Sequence, residues 1–298
     1  MSELEDLIRR GGRLLERLEA LLPDPSREPD WSAPALRWHS GRGGSGLLGG
    51  RLEPIHEPQR IALDDLLHVE RQKTVLDQNT RQFLAGLPAN NALLWGSRGT
   101  GKSSLIKALL TEHAKDGLRL VEIERTDLVD LPTILGRLGS RPERFLIFSD
   151  DLSFEAGDPS YKVLKALLDG SLAGPPDNVL IYATSNRRHL LPEFAAENLE
   201  ARQVDGEIHH GEGVEEKISL SERFGIWLSF YPFKQEEYLR IVGHWIDVLG
   251  GSGIGDPESM RREALQFALQ RGSRSGRVAR QFAADWVGRR RLAELPPG

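Results

Sequence analysis

The chain has 298 residues, of which 39% are hydrophobic and 28% charged, and its formal net charge is -5 at pH 7. This mild negative charge excludes a general electrostatic attraction to nucleic acid or anionic lipid, and the length predicts about two domains. The sequence contains no cysteine, which excludes disulfide bonds, thiolate nucleophiles and zinc–thiolate sites.

The sequence predicts a protein that makes no membrane contact. The residues from Met1 to Asp6 are acidic, and no apolar core of a signal peptide follows them. No run approaches the ~18 consecutive apolar residues that a membrane-spanning helix needs. We therefore expect a cytoplasmic location.

The N-terminal part, residues 1–55, is predicted to be a helix followed by a flexible linker. Apolar residues recur at helical spacing over residues 2–22. Pro, Gly, Ser and Arg then dominate residues 23–50, and residues 41–46 have the composition of a flexible tract. The isolated Trp31 and Trp38 either dock on a partner or pack against the protein itself, which is the simpler interpretation.

Strands and helices alternate over residues 56–231. A helix is predicted over residues 64–87, and helical patterns over 128–138 and 161–168 separate short apolar runs. Because these runs are unbroken, they favour a parallel sheet covered on both faces, with ligands outside the carboxyl ends of its strands. The five predicted strands are residues 91–95, 118–123, 145–148, 179–184 and 226–230.

The pattern changes to helices alone after Pro232. Apolar residues recur at helical spacing over residues 235–249, 257–270 and 276–290. We therefore predict a small, all-α domain over residues 232–298.

A phosphate-binding loop is predicted at residues 96–104, which fit G-x-x-x-x-G-K-[ST] at every specified position between a strand and a helix. The glycines permit positive φ angles, so that backbone N–H groups converge on phosphate oxygens at the positive end of the helix dipole. Lys102 is expected to reach the β- and γ-phosphates, and the Ser103 hydroxyl to join the shell of Mg²⁺. The alternative is a glycine-rich turn with a chance Lys-Ser pair. The predicted nucleotide-binding residues of the loop are Gly96, Ser97, Arg98, Gly99, Thr100, Gly101, Lys102, Ser103 and Ser104.

Two carboxylates, Asp150 and Asp151, follow the third predicted strand. The end of this strand lies at the sheet edge beside the phosphate loop. Asp150 is expected to hold Mg²⁺ through its water shell, and Asp151 to orient or deprotonate the attacking water. The alternative is that the pair caps the next turn.

Three further polar residues are candidates for the same chemistry. Asn186 follows the fourth strand and is expected to position the attacking water, unless it only caps a turn. Arg223 precedes the fifth strand, where an arginine either enters a neighbouring subunit's site or forms a surface salt bridge. Arg277 opens the last helix and either grips the γ-phosphate from the cleft between the domains or belongs to a solvated helix face.

The order of these parts over residues 63–287 resembles an AAA+ ATPase. Residues 89–104, 148–154, 216–225 and 275–277 look like a bacterial family of AAA-type ATPases of unknown function, known as predicted ATP-binding proteins. Within this resemblance residues 96–104 are the Walker A loop, Asp150 and Asp151 Walker B, Asn186 sensor 1, Arg223 the arginine finger and Arg277 sensor 2.

The resemblance implies Mg-ATP as ligand and a three-layer α/β/α core with a parallel five-stranded sheet, over residues 56–231, plus the helical lid. It also implies a homo-oligomer, a ring or partial ring in which Arg223 acts in trans. Asp151 stands where the common pattern has Glu, and since Asp is one methylene shorter its reach to the water is reduced. His68 stands where many members have Gly, and it either contacts the edge of the base or covers it.

The sequence therefore predicts an AAA+ ATPase that hydrolyses Mg-ATP at a subunit interface and acts on an unidentified protein or nucleic acid. The first alternative is a slow or non-hydrolysing switch or loader that binds a partner in the ATP state. A small-molecule kinase is disfavoured by the presence of Asn186, Arg223 and Arg277 in this order, and a GTPase by the lack of an N-K-x-D segment. Residues 191–217 are predicted to be an insertion, with residues 207–212 a loop rather than a metal site.

Overall fold

The computed structural model describes residues 28–41, 50–155, 158–170, 175–188, 190, 202–204, 207–209 and 220–294. The helix predicted over residues 2–22 lies outside these residues, and so do nearly all of the flexible tract predicted over 41–46 and most of the insertion predicted over 191–217.

A seven-stranded sheet forms the centre of the described core. The strands of the described chain, in sequence order, are β1 (Ala35–His39), β2 (Arg51–Ile55), β3 (Ala92–Gly96), β4 (Leu118–Glu122), β5 (Arg144–Ser149), β6 (Val179–Ser185), β7 (Arg202–Val204), β8 (Glu207–His209) and β9 (Ile226–Phe230). The sheet has the spatial order β2-β1-β4-β5-β6-β3-β9, while β7 and β8 form a separate antiparallel pair. The five predicted strands are β3, β4, β5, β6 and β9, and they are parallel as predicted.

Two strands come from the segment that the sequence predicts to be a linker. β1 pairs in parallel with β4 and antiparallel with β2, which extends the sheet beyond its predicted edge. The linker prediction is therefore wrong for Ala35–His39 and Arg51–Ile55, because pairing with β4 is a long-range interaction that local composition does not reveal. The loop prediction is likewise wrong for Glu207–His209, which pairs with β7.

Both tryptophans of this segment pack against the protein itself, as the simpler interpretation expected. The side chain of Trp38 is only 2% exposed, and its Nε1 donates a hydrogen bond to Asp130 Oδ2 at 3.1 Å. Trp31 packs edge-on against the ring of Phe145, with 5.8 Å between the ring centroids.

Helices cover both faces of the sheet, which confirms the predicted three-layer core. They are α1 (Glu70–Leu84), α2 (Lys102–His113), α3 (Leu131–Leu138) and α4 (Pro159–Leu168). Side chains alternate across each strand, so Leu93 of β3 packs with residues of α3 and α4 while Leu94 packs with residues of α1 and α2. Helix α1 begins later than predicted, because a 3-10 turn at Leu63–Asp65 and a positive φ of 63° at His68 precede it.

The C-terminal helices pack around a core of their own. They are α5 (Gln235–Val248), α6 (Pro257–Gln270) and α7 (Gly276–Glu294), and each begins where the sequence predicted. Tyr238 of α5 is fully buried between them and donates its hydroxyl to the carbonyl of Ala264 at 3.1 Å. Burial raises the pKa of Tyr238 to about 12. Among the described helices, none is both long and apolar enough to cross a membrane.

Candidate nucleotide-binding site

The loop between β3 and α2 has the backbone of an anion-binding turn. Gly96, Gly99 and Gly101 have positive φ angles of 131°, 73° and 101°. A Cβ atom at Gly96 would lie 2.0 Å from the carbonyl oxygen of Phe230 in β9, so only glycine fits there. The loop leads directly into the N-terminus of α2, where N–H groups and the helix dipole favour a bound anion.

Lys102 is folded back over this loop. Its Nζ donates to the carbonyl oxygens of Gly96 and Ser97, each at 2.8 Å, and to Asn186 Oδ1 at 3.1 Å. The residue is only 6% exposed, and this burial lowers the pKa of Lys102, although two nearby carboxylates oppose the effect. A buried ammonium of this kind gains from an additional anionic partner such as a phosphate.

Oxygen atoms from three segments meet at Asp150, which directly follows β5. Ser103 Oγ in the first turn of α2 donates to Asp150 Oδ1 at 2.6 Å, and Thr184 Oγ1 of β6 donates to the same carboxylate oxygen. Hydroxyl and carboxylate oxygens are the hard ligands that Mg²⁺ prefers, so this set of residues fits the ion. Ser103 and Asp150 would hold it, as the sequence predicted. Thr184 was not predicted as a site residue. Its position near the end of the same strand, two residues before Asn186, could have indicated it.

Asp151 is held in a defined orientation beside this group. Its backbone is left-handed, with φ of 52°, and its N–H donates to Thr184 Oγ1 at 3.0 Å. Its carboxylate accepts a hydrogen bond from Asn186 Nδ2 through Oδ1 and lies 3.7 Å from the guanidinium of Arg98 through Oδ2. The structure therefore brings together Asp151 and Asn186, which the sequence placed at the ends of neighbouring strands.

A cavity of about 840 Å³ joins these groups to the C-terminal helices. Its lining includes residues 98–104 of the loop, Asp150, Asp151 and Asn186, and also Arg277, which lies in the first turn of α7 as predicted. The backbone N–H of Gly276 donates to the carbonyl of Gly99 at 2.9 Å, so the start of α7 touches the loop directly.

Part of the cavity lining is apolar. Arg280 of α7 stacks over the Trp245 ring at 4.8 Å, and both residues line the cavity. Nearby, His244 Nε2 is 3.0 Å from Asp65 Oδ1, which links α5 to the core. An apolar wall beside polar loop groups suits a ligand with a flat base and a charged tail. The apolar lining residues are Ile61, Leu66, Leu67, Val69, Phe233, Ile241, Trp245 and Ala284.

His68 and Arg223 lie outside this lining. His68 packs near Phe233, with 6.4 Å between ring centroids. Arg223 pairs with Asp169 just beyond α4, and within the described residues it is not part of the cavity of its own chain. The predicted action of Arg223 on a neighbouring subunit stays a prediction.

Comparisons with known proteins give a matching family and a curated relative. A family model described as "Protein of unknown function (DUF815)" matches residues 32–290. The replication factor C large subunit of Ignicoccus hospitalis is 34% identical over 98 residues, which are 28% of this chain and 20% of that protein. The chain thus matches about a fifth of the length of this curated relative.

Two solved structures are similar to this chain at low sequence identity. A mutant form of Thermotoga maritima RuvB is 15% identical with a TM-score of 0.50, covering 78% of this chain and 72% of that chain. The Aeropyrum pernix ORC1 protein, solved in complex with DNA, is 15% identical with a TM-score of 0.49, covering 75% of this chain and 61% of that chain. At this identity the similarity to RuvB concerns the fold alone.

Proposed function

This chain belongs to the family described as "Protein of unknown function (DUF815)" and has the fold of the AAA+ ATPases, and we propose that it binds and hydrolyses Mg-ATP. The observation that supports this proposal most strongly is that the glycine loop, Lys102, Asp150, Asp151 and the start of α7 line one shared cavity. Each of these groups has a separate task in phosphoryl transfer to water.

The loop and the two carboxylates would divide the chemistry between them. The loop N–H groups and Lys102 would bind the phosphates, and Mg²⁺, when bound by Ser103 and Asp150, neutralises charge on them. Asp151 would orient a water molecule and accept its proton. Asn186 donates to one oxygen of Asp151, which supports a role in fixing the direction in which this carboxylate points.

The lid contacts support a conformational output. Gly276 bonds to Gly99 of the loop, and Arg277 lines the same cavity, so a ligand with a γ-phosphate would alter contacts made by α7. We propose that this movement acts on a macromolecule, either a protein or a nucleic acid.

Wild-type protein is expected to release phosphate from ATP only when Mg²⁺ is present. A continuous phosphate-release assay checks this, with EDTA as one control and GTP as another, and slower turnover is expected with GTP. Failure to bind ATP with Mg²⁺ in calorimetry would contradict the proposal.

The alternative of a slow ATP-dependent switch has its own support. The short side chain of Asp151 is held by both Asn186 and Arg98, which restricts its approach to a water molecule. Tight ATP binding without phosphate release would favour this alternative over the ATPase.

We also propose that the protein works as a homo-oligomer, in which Arg223 of one subunit completes the site of the next. Arg223 lies near the start of β9, the edge strand of the sheet, and does not line its own cavity among the described residues. An arginine supplied by a neighbouring subunit stabilises charge in the transition state and raises the turnover rate by a factor of about 10³ or more.

Mixing two inactive variants tests this sharing. Lys102→Ala and Arg223→Ala are each expected to lose activity alone, whereas an equal mixture should recover part of it. In the mixture, Lys102→Ala subunits supply Arg223 to intact loops of the other variant. Measured in the same phosphate assay, a mixture of Arg223→Ala with the Lys102→Ala/Arg223→Ala double variant should show no recovery. Absence of recovery in the first mixture, or equal recovery in both, would rule out action in trans.

A further inference from the structure

Arg98 is a charged side chain at a loop position where the glycine pattern requires no particular residue. Its side chain is 78% exposed, and its guanidinium lies 3.7 Å from Asp151 Oδ2. From the sequence, Arg98 is predicted only as part of the nucleotide-binding loop. The structure gives its charge a specific neighbour.

Four side chains form a connected row of contacts at this end of the cavity. Lys102 donates to Asn186 Oδ1, Asn186 donates to Asp151 Oδ1, and Arg98 faces the second oxygen of the same carboxylate. Asp151 therefore lies between the amide of Asn186 and the cation of Arg98. Lys102, which the proposed function assigns to the β- and γ-phosphates, stands at the other end of the row.

We propose that Arg98 binds the γ-phosphate of ATP within its own chain, and that its ion pair with Asp151 restrains this carboxylate until the γ-phosphate competes for the guanidinium. This inference rests on the proposed function and adds a cation that acts in cis. It differs from the predicted role of Arg223, which concerns a neighbouring subunit.

The ion pair has the properties of a contact that can be exchanged. A separation of 3.7 Å is longer than a charge-assisted hydrogen bond, and both side chains are more than half exposed to solvent, Asp151 by 57%. The planar guanidinium forms paired hydrogen bonds with phosphate oxygens, and a terminal phosphate carries more charge than one carboxylate.

Arg98 also has room to move. It lines the nucleotide cavity and an adjoining cavity of about 680 Å³ beside α6. The guanidinium can therefore turn away from Asp151 without displacing a packed side chain. Once released, Asp151 would be held by Asn186 alone.

The affinities for the β,γ-imido analogue of ATP and for ADP test the γ-phosphate contact. In Arg98→Gln, calorimetry with Mg²⁺ is expected to show an affinity for the analogue that falls about tenfold, with the ADP affinity unchanged within about twofold. Arg98→Lys keeps the positive charge but loses the paired N–H donors of the guanidinium. Its affinity for the analogue should therefore lie between those of wild type and Arg98→Gln. Arg187→Gln, which removes an exposed charge next to Asn186, is the matched control and should not change the ratio of the two affinities.

A double-mutant cycle tests the restraint on Asp151. Asp151→Asn is expected to raise the affinity for the ATP analogue a few-fold when Arg98 is present, and by less in the Arg98→Gln background. The reason is that the Asp151 carboxylate competes with the γ-phosphate only when the Arg98 guanidinium is present. Additive effects would overturn the restraint, and equal losses for analogue and ADP, or no loss, would overturn the γ-phosphate contact. Wild-type protein that binds neither nucleotide would overturn the proposed function itself and this inference with it.

Discussion

Replacing Lys102 by alanine is expected to lower ATP affinity by about 100-fold and to reduce phosphate release below detection. The ammonium of Lys102 is held over the loop by two carbonyl oxygens and by Asn186, where it would meet the β- and γ-phosphates. No other described lysine makes these contacts. Calorimetry with Mg-ATP, followed by the phosphate assay, measures both losses.

This variant should not unfold the protein. Burial lowers the pKa of Lys102, which means that the charged form pays a desolvation cost in the folded chain, and alanine removes that cost. Lys115→Ala, which removes an exposed lysine beyond the same helix, is the matched control and should bind ATP like the wild type. Equal ATP affinities in wild type and Lys102→Ala would show that the loop does not bind phosphate.

Replacing Asp151 by asparagine is expected to reduce phosphate release by about 10³-fold while ATP affinity rises a few-fold. The amide has nearly the same shape as the carboxylate but cannot accept a proton. The substitution also removes one negative charge from the neighbourhood of the γ-phosphate. The phosphate assay and calorimetry on the same preparation separate the two effects.

Asp150→Asn provides the comparison for this variant. Asp150 accepts hydrogen bonds from Ser103 and Thr184 and would hold Mg²⁺ with Ser103. Replacing this carboxylate should therefore weaken the Mg²⁺-dependent part of ATP binding, which Asp151→Asn leaves intact. Titrating Mg²⁺ at fixed ATP should show a higher half-saturating concentration for Asp150→Asn than for Asp151→Asn. If Asp151→Asn released phosphate at the wild-type rate, the assignment of Asp151 as the base would be wrong.

The parts of the site that could be predicted from sequence are those fixed by local patterns. The loop has its own glycine spacing, the pair Asp150 and Asp151 follows β5, and Asn186 follows β6. Since parallel strands end at one edge of a sheet, these residues had to lie near one another. The helices of the lid were predictable for a related reason, because their amphipathic periodicity and their starting residues are local.

The parts that could not be predicted depend on contacts between distant segments. β1 is stabilised by pairing with β4, some eighty residues later, and its short polar surroundings gave no local strand signal. His244 and Asp65 meet across 179 residues, and nothing in either segment indicates this partner. The contact between Arg98 and Asp151 likewise depends on how the loop and the end of β5 are placed, which spacing alone does not determine.

A single-turnover experiment tests the central claim most directly, namely that the loop and Asp151 form one site that cleaves ATP. Wild type and Asp151→Asn, each in excess over γ-labelled ATP, are mixed with Mg²⁺ and quenched over time, and the bound ATP and released phosphate are counted. The account predicts that wild type converts its bound ATP to ADP and phosphate, while Asp151→Asn retains ATP about 10³-fold longer. Conversion at the same rate in both proteins, or retention of intact ATP by both, would contradict it.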